Sequence, residues 1–224
     1  MSILDKILHV IAPHSCVVCG KEGSLLCAWC LPDSMEPLPS RCYRCYSAAA
    51  DSLVCRACRR QSPLQHVWVR TWYEAHVKRL VYGFKFERQQ AAVVPLAQLM
   101  AQTVPYLDRA TIVTHVPTAS SRVRQRGYDH AALLAKAVAR HLDLPYAPVL
   151  VRHGQTRQVG ARRAARLAQL QGAFRVKCPE AIAGARILLV DDILTTGATL
   201  ETASRCLKKA GAKVVDGLVI AQKQ

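Results

Sequence analysis

Four CxxC pairs lie within residues 16–58, and they constrain the fold of that segment more than any other feature of the chain. A CxxC turn places two thiolates on one side of a tight knuckle, and two knuckles complete a tetrahedral zinc site. Four knuckles therefore predict two structural Zn²⁺ sites in a double zinc-ribbon domain over residues 1–62, where metal replaces a core that so short a segment cannot build. The predicted ligands are Cys16, Cys19, Cys27, Cys30, Cys42, Cys45, Cys55 and Cys58.

The order in which these knuckles pair is open at the level of sequence. The spacings CxxC-x7-CxxC and CxxC-x9-CxxC favour sequential pairing, in which each ribbon closes its own site, but interleaved pairing also fits. A redox CxxC or an iron–sulfur cluster is less favoured, because a thioredoxin-like site needs one CxxC within a βαβ unit. The other two cysteines, Cys178 and Cys206, are isolated and are interpreted as packing residues.

The basic charge of the chain is concentrated after residue 62. Residues 1–62 hold seven Lys and Arg against five Asp and Glu, whereas residues 63–224 hold 24 against ten. This excess indicates an anionic partner such as nucleic acid or a phosphorylated metabolite, although a basic surface with no specific partner is also compatible. Eight thiolates and two Zn²⁺ would give the first segment a charge of about −2, so we expect any nucleic acid to bind mainly after residue 62.

The chain carries no sign of a membrane segment. No run approaches 18 apolar residues, so no spanning helix is expected. The N-terminal residues 1–16 lack the basic start, long apolar run and cleavage site of a signal peptide, and they predict a short helix that packs on the rest. We therefore expect a cytoplasmic protein. Disulfides between these cysteines are disfavoured in the cytoplasm.

Residues 63–224 alternate between strand and helix patterns, which predicts an α/β domain with a mostly parallel sheet and helices on both faces. In such sheets, ligands bind at the carboxyl ends of the strands. Predicted strands cover residues 66–73, 111–117, 146–151, 186–192 and 213–221, and predicted helices cover 77–84, 91–104, 131–142 and 200–210.

The segment ILLVDDILTTGATL, residues 187–200, changes from an apolar strand to a small polar loop and then to a helix. Backbone N–H groups of the loop and the helix N-terminus suit an anion, and Gly197 lets the backbone approach it closely. Asp191 and Asp192 would repel a phosphate, but they suit sugar hydroxyls or Mg²⁺ beside one. Because GK[ST] and GxGxxG are absent, the segment predicts a ribose 5-phosphate site, with one of the two aspartates as a candidate general base.

The segment VDDILTTGAT resembles the phosphoribosyl diphosphate (PRPP) motif of type I phosphoribosyltransferases. Together with the cysteine ribbons, it makes the whole chain similar to the ComF family of competence proteins. The family's Phe-Asn-Gln is replaced here by Tyr128-Asp129-His130, and its Asn before the Ala-Phe pair is replaced by Gln169. The further segments that carry the resemblance are GFKFERQQ (83–90), HVPTASSRVRQRGYDHAALLA (115–135) and QTRQVGARRAARLAQLQGAF (155–174).

The resemblance implies a type I phosphoribosyltransferase-like fold over residues 63–224 that binds PRPP with Mg²⁺. It also implies a role in uptake or processing of single-stranded DNA during natural transformation, with a DNA-uptake helicase or other competence proteins as partners. Lys85 would contact the pyrophosphate, and Asp191 and Asp192 would be the catalytic pair. The expected PRPP-binding residues are Lys85, Asp191, Asp192, Thr195, Thr196, Gly197, Ala198 and Thr199.

Two arginine-rich segments could hold a diphosphate or follow a nucleic-acid backbone. We expect single-stranded DNA to contact Arg122, Arg124, Arg126, Arg162 and Arg163. Aromatic residues available for base stacking are Trp68, Trp72, Tyr73, Tyr82 and Tyr128.

Three functions fit these features. The first is a PRPP-binding competence protein, the second is an active phosphoribosyltransferase for an unidentified acceptor, and the third is a zinc-ribbon adaptor with a degenerate α/β domain. The intact motif at residues 191–199 disfavours the third.

Overall fold

The computed structural model describes residues 14–87, 89–153 and 172–223. The helices are α1 (Leu31–Ser34), α2 (Arg56–Arg59), α3 (Ala75–Phe86), α4 (Val93–Ala101), α5 (Ser120–Arg126), α6 (His130–Leu142) and α7 (Ala198–Lys209). The strands are β1 (Val67–Trp72), β2 (Ile112–His115), β3 (Leu150–Arg152), β4 (Phe174–Val176), β5 (Arg186–Leu194) and β6 (Val214–Gln222). Within these three ranges, no helix is long and apolar enough to cross a membrane.

The main sheet has four strands in the order β1-β6-β5-β2, and all of its strand pairs are parallel. In β5, the run Ile187–Val190 is fully buried, as expected for a central strand covered on both faces. This arrangement confirms the predicted α/β fold with a parallel sheet and helices on both faces.

Successive side chains of the strands pack into two separate hydrophobic cores, one on each face of the sheet. Leu188 and Val190 of β5 pack with residues of α3, α4 and α6, whereas Ile187 and Leu189 pack with residues of α7 and β4. This is the consequence of the two-residue period of a strand, which sends successive side chains to opposite faces. The segment after β5 therefore follows a strand that is packed on both faces.

The structure corrects the extent of a predicted strand and contains short elements that were not predicted. The strand predicted at 146–151 is wrong in extent, because only Leu150–Arg152 forms β3, and it pairs antiparallel with β4 in a separate two-stranded sheet. Tyr146 makes only an isolated bridge to Val113. Helices α1, α2 and α5 and strand β4 were not predicted, because each has only three to seven residues and is too short to show a period.

The two cysteine-rich ribbons pack against different hydrophobic cores. Cys16, Leu25 and Leu26 of the first ribbon belong to the core that contains α3 and α4. Cys42 and Tyr43 of the second ribbon belong to the core that contains α7. Of residues 1–16, in which a short N-terminal helix was predicted, residues 1–13 lie outside the described residues.

Candidate functional site

The paired aspartates lie near the carboxyl end of β5, in the middle of the parallel sheet. Asp191 still pairs with β6, and the strand continues to Leu194, two residues further than the sequence indicated. Asp192 is buried, whereas Asp191 is partly exposed. The two carboxylates are therefore in the position where parallel sheets bind ligands.

Asp192 lies between two nitrogen donors from different helices. Its Oδ2 atom is 2.6 Å from Nζ of Lys85 on α3 and 2.6 Å from Nε2 of His130 at the start of α6. Burial alone would raise the pKa of Asp192, but the charge of Lys85 and the hydrogen bond from His130 outweigh it and hold that pKa well below its usual range. Asp192 is thus a carboxylate at neutral pH, and Lys85 lies in the predicted site.

His130 is held in one tautomer by its neighbours. Nη1 of Arg126 lies 2.8 Å from Nδ1 of His130, and a guanidinium only donates, so Nδ1 must accept. Nε2 therefore carries the proton that is donated to Asp192. Arg126 itself is buried, and its guanidinium lies 4.9 Å from the ring centre of Phe86.

The other residue of the pair, Asp191, has the opposite electrostatic character. Burial and the negative charge of Asp192 raise the pKa of Asp191 to about 7. The nearby positive charges of Lys85 and Arg152 counteract part of this effect. The pair therefore combines one permanent carboxylate with one that exchanges its proton near neutral pH, and such divergent pKa values are typical of functional sites.

The loop after β5 has the geometry of an anion site. Gly197 has a φ of 78° and is the N-cap of α7, which begins at Ala198. Thr196 is partly exposed and Thr195 is exposed, and the backbone N–H of Ala198 donates to Oγ1 of Thr196 at 3.4 Å. The first backbone N–H groups of a helix favour an anion, so this loop can hold a phosphate beside Asp191 and Asp192.

The second ribbon packs directly against this loop. A Cβ added to Gly197 would lie 2.9 Å from Cε2 of Tyr43, so the tyrosine ring touches the glycine backbone. The hydroxyl of Tyr43 donates to Oε1 of Glu201 in the first turn of α7 at 2.7 Å, and Arg44 lies 3.1 Å from the same oxygen. The side-chain amide of Gln222 donates to the carbonyl of Tyr43 at 3.1 Å. Tyr43 is thus fixed between α7 and β6.

The eight cysteines form two separate groups. Within each group, all four sulfurs lie within 4.8 Å of one another, and the pairing is sequential. The ligand sets are Cys16, Cys19, Cys27 and Cys30 in the first group, and Cys42, Cys45, Cys55 and Cys58 in the second.

The distances between sulfurs suit both groups to zinc. Four sulfurs at about 2.3 Å from a tetrahedral Zn²⁺ lie about 3.8 Å apart. Here Cys19 and Cys27 are 3.8 Å apart, and Cys45 and Cys55 are 3.5 Å apart. Hydrogen bonds from Ser47 lower the pKa of Cys45 to about 6, which favours the thiolate that ligates metal. Each group could therefore hold one zinc ion.

The arginines predicted to contact nucleic acid divide into three sets. Arg122 and Arg124 are exposed on α5. Arg126 is buried against His130 and belongs to the aspartate site rather than to an open surface. Arg162 and Arg163 lie outside the described residues.

The departure from the ComF pattern at residues 128–130 has a structural role. Asp129 caps α6, because Oδ1 accepts from the backbone N–H of Ala131 at 3.0 Å and of Ala132 at 3.2 Å. The same carboxylate accepts from the hydroxyl of Thr118 at 2.8 Å. The negative charge of Asp129 is therefore used in fixing the start of α6, where His130 meets Asp192.

A sequence comparison matches the C-terminal part of this chain to a known class of domain. Residues 129–224 match the family model for the phosphoribosyl transferase domain. The fold described above is thus that of a phosphoribosyltransferase-type domain.

Two curated relatives are competence proteins. Competence protein ComFC of Bacillus subtilis is 29% identical over 206 residues, which cover 91% of this chain and 75% of the relative. Competence protein F of Haemophilus influenzae is 32% identical over 146 residues, which cover 61% of this chain and 63% of the relative. The chain therefore spans less than two thirds of the second relative. These matches confirm the resemblance to the ComF family.

The solved structures that resemble this chain include the glutamine PRPP amidotransferase of B. subtilis complexed with ADP and GMP. The superposition has a TM-score of 0.41 and 25% identity, and it covers 57% of this chain but 26% of the other.

Sequence reasoning missed two contributors to the site. His130 was noted only as a departure from the family pattern, because its contact with Asp192 joins residues 62 positions apart in the chain. Tyr43 gave no signal at all, because its contact with Gly197 joins residues 154 positions apart in the chain.

Proposed function

We propose that this protein binds PRPP with Mg²⁺ at residues 191–199 and acts as a competence protein that handles incoming single-stranded DNA in the cytoplasm. The observation that carries the proposal is the convergence of two carboxylates, Lys85 and a glycine-capped helix N-terminus at one end of the sheet. The competence function of the two relatives supports the same reading.

In this proposal, each group binds a different part of the ligand. Backbone N–H groups of residues 195–199 would hold the 5-phosphate, and Asp191 and Asp192 would accept hydrogen bonds from the ribose hydroxyls. Lys85 would exchange its contact with Asp192 for the pyrophosphate, where a cation offsets the negative charge. Mg²⁺ would neutralise the diphosphate, and Zn²⁺ in the two cysteine groups would stabilise the ribbons.

A transferase reaction at this site is the second candidate. It is favoured by the pKa of Asp191, which burial and the charge of Asp192 raise to about 7, since a group that titrates there can exchange a proton with an acceptor. Release of pyrophosphate from PRPP in the presence of candidate acceptors would support this reading. If PRPP is bound but recovered intact with every acceptor tested, the protein binds PRPP without transferring its phosphoribosyl group.

Calorimetric titration with PRPP and Mg²⁺ tests the binding site directly. Wild-type protein should bind, and the variant Asp191→Asn/Asp192→Asn should lose at least tenfold in affinity because two acceptors become amides. Asp143→Asn is the matched control, since Asp143 is an exposed carboxylate paired with Arg109. Absence of binding by the wild-type protein would sink the proposal.

Single-stranded DNA has a candidate stacking surface on α3. Tyr82 and Phe86 are 52% and 58% exposed, one helical turn apart, with ring centres separated by 5.0 Å. The exposed cations Lys78 and Arg79 lie on the same helix. Exposed aromatic rings beside positive charge suit unpaired bases, because stacking is tolerant of sequence and the cations hold the phosphates.

A base-free strand separates stacking from simple charge attraction. Wild-type protein should bind oligo(dT) more tightly than an abasic strand of equal length. Tyr82→Ser/Phe86→Ser should abolish that preference, whereas Tyr106→Ser, at an aromatic residue that is 89% exposed, should retain it. Equal binding of both strands by the wild-type protein would exclude a stacking surface.

A further inference from the structure

We propose that metal in the second cysteine group holds the phosphate-binding loop in its ligand-binding geometry, so that metal binding there and PRPP binding strengthen each other. This inference rests on the proposed function of residues 191–199. It makes Tyr43 a positioning residue for the loop, although Tyr43 belongs to a ribbon and not to the α/β domain.

The first observation is the steric contact at Gly197. The ring of Tyr43 occupies the space in which any side chain at residue 197 would lie, with Cε2 2.9 Å from an ideal Cβ. Gly197 has a positive φ of 78° and caps α7, so its conformation determines where the first free N–H groups of the helix point. The buried ring therefore limits the movement of the residue on which anion binding depends.

The second observation is the charge balance in the first turn of α7. Glu201 is fully buried there and accepts from the hydroxyl of Tyr43 at 2.7 Å. Arg44 of the ribbon and Arg205 of the helix each lie 3.1 Å from this carboxylate. A negative charge so close to a phosphate site would weaken anion binding if it were not offset. The ribbon supplies one of the two cations that offset it.

The third observation is that both contacts come from a metal knuckle. Tyr43 and Arg44 are the two residues between Cys42 and Cys45, whose sulfurs belong to the second cysteine group. The spacing of its sulfurs suits tetrahedral zinc, as described above, and small segments of this kind depend on metal for their structure. Loss of metal would free both residues from α7.

The first cysteine group is built in the same way but contacts a different part of the fold. Val17 occupies the knuckle position that corresponds to Tyr43, and its carbonyl lies 3.2 Å from Nδ1 of His76 on α3. Cys16 and Cys30 pack in the core of the opposite sheet face. Substitutions in the first knuckle can therefore serve as controls for the effect of the second knuckle on the loop at residues 195–199.

The experiment compares substitutions at these equivalent positions by calorimetry with PRPP and Mg²⁺. Zinc content is measured for each variant and is expected to stay at two per chain. Tyr43→Ala should weaken PRPP binding at least tenfold, and Tyr43→Phe, which keeps the ring but removes the bond to Glu201, should weaken it about threefold. Val17→Ala should stay within twofold of the wild-type affinity.

Each outcome bears on the inference in a definite way. Equal PRPP affinity of the wild-type protein and a zinc-loaded Tyr43→Ala variant would overturn it while leaving the proposed function intact. If Tyr43→Ala loses zinc or fails to fold, Tyr43→Phe decides, and an unchanged affinity in that variant overturns the inference. Failure of the wild-type protein to bind PRPP would overturn the proposed function itself, and this inference with it.

Discussion

The two cysteine groups are nearly alike in sequence and sulfur geometry, yet they are attached to different parts of the molecule. The first packs with α3 and α4 on one face of the sheet. The second packs with α7 on the other face, where Tyr43 touches Gly197. The difference lies in the residues between the cysteines, since Val17-Val18 is apolar whereas Tyr43-Arg44 carries a hydroxyl and a cation that reach Glu201.

This difference indicates that two four-cysteine groups with the same geometry need not have the same role. The first group adds to the core through apolar residues such as Leu25 and Leu26. The second makes polar contacts to the buried carboxylate of Glu201 in α7, the helix that follows the proposed phosphate-binding loop. We therefore expect the first group to affect stability alone, and the second to affect both stability and ligand binding.

The largest expected effect comes from removing one metal site at a time. Cys42→Ser/Cys45→Ser and Cys16→Ser/Cys19→Ser should each reduce the zinc content from two to one per chain. Only the first pair should abolish measurable PRPP binding in calorimetry, because only that knuckle holds Gly197. Equal loss in both variants would show that the two groups act only through overall stability.

A somewhat smaller effect is expected from adding one methyl group at a glycine. Gly197→Ala meets Tyr43 at 2.9 Å, whereas Gly20→Ala in the first ribbon meets nothing within 4 Å. Both glycines have similar positive φ values, 78° and 75°, so both substitutions carry a backbone strain of about 1 kcal/mol.

Thermal unfolding and PRPP titration together separate the steric contact from this shared strain. The melting temperatures should fall in both variants, but PRPP affinity should fall, by more than tenfold, only in Gly197→Ala. An equal loss of affinity in Gly20→Ala would contradict the steric role of Tyr43.

The pH dependence of PRPP binding should differ between substitutions at Asp191 and substitutions in the second ribbon. Burial and the charge of Asp192 raise the pKa of Asp191 to about 7, so Asp191 is protonated below that pH and ionised above it. A protonated carboxyl accepts ribose hydroxyls poorly, so PRPP affinity should rise about tenfold between pH 6 and pH 8.

Measured over the same range, Asp191→Asn should lose this rise, apart from the titration of PRPP itself. Tyr43→Ala should keep the wild-type profile at a lower affinity. An identical pH profile in wild-type and Asp191→Asn protein would show that Asp191 does not cause the pH dependence of PRPP binding.

The raised pKa of Asp191 also affects folding stability. Ionisation of Asp191 opposes folding, so the stability that its protonated form contributes is fully present below about pH 4 and is lost as the pH rises through 7.

The smallest effect concerns DNA and asks which region carries the phosphate contacts. Removing two contacts to a single strand should reduce the slope of log affinity against log salt by about 1.4. We expect this change in Arg122→Ser/Arg124→Ser, on exposed positions of α5, and no change in the matched ribbon variant Arg59→Ser/Arg60→Ser. The reverse result would place DNA on the second ribbon.

Much of the fold could be predicted from the sequence, because long strands and helices have a clear period. The β5 strand, with its four buried residues before the aspartates, and the alanine-rich helix α6 are examples. Short elements such as α5 and β4 do not repeat often enough to be recognised. The end of β5 was also placed two residues early, because paired carboxylates are unusual inside a strand.

The candidate site was predictable only where its residues are neighbours in sequence. Asp191, Asp192 and the loop to Thr199 form one motif, and Lys85 came from the family resemblance. Contacts such as His130 with Asp192, Arg126 with His130 and Tyr43 with Gly197 depend on how helices and ribbons pack in three dimensions. The CxxC spacing favoured sequential pairing, and only the sulfur positions exclude the interleaved alternative.

The most direct test of the link between ribbon and loop is the rate at which zinc leaves the native protein. Zinc transfer to a chromogenic chelator selective for zinc over magnesium would be followed with and without saturating PRPP and Mg²⁺. Since the coupling of two binding free energies is reciprocal, PRPP should tighten zinc binding in the second cysteine group. We expect the tighter binding as a several-fold slower release of one of the two zinc ions, with the release of the other unchanged. Release of both ions at rates independent of PRPP, in protein that binds PRPP, would contradict the account.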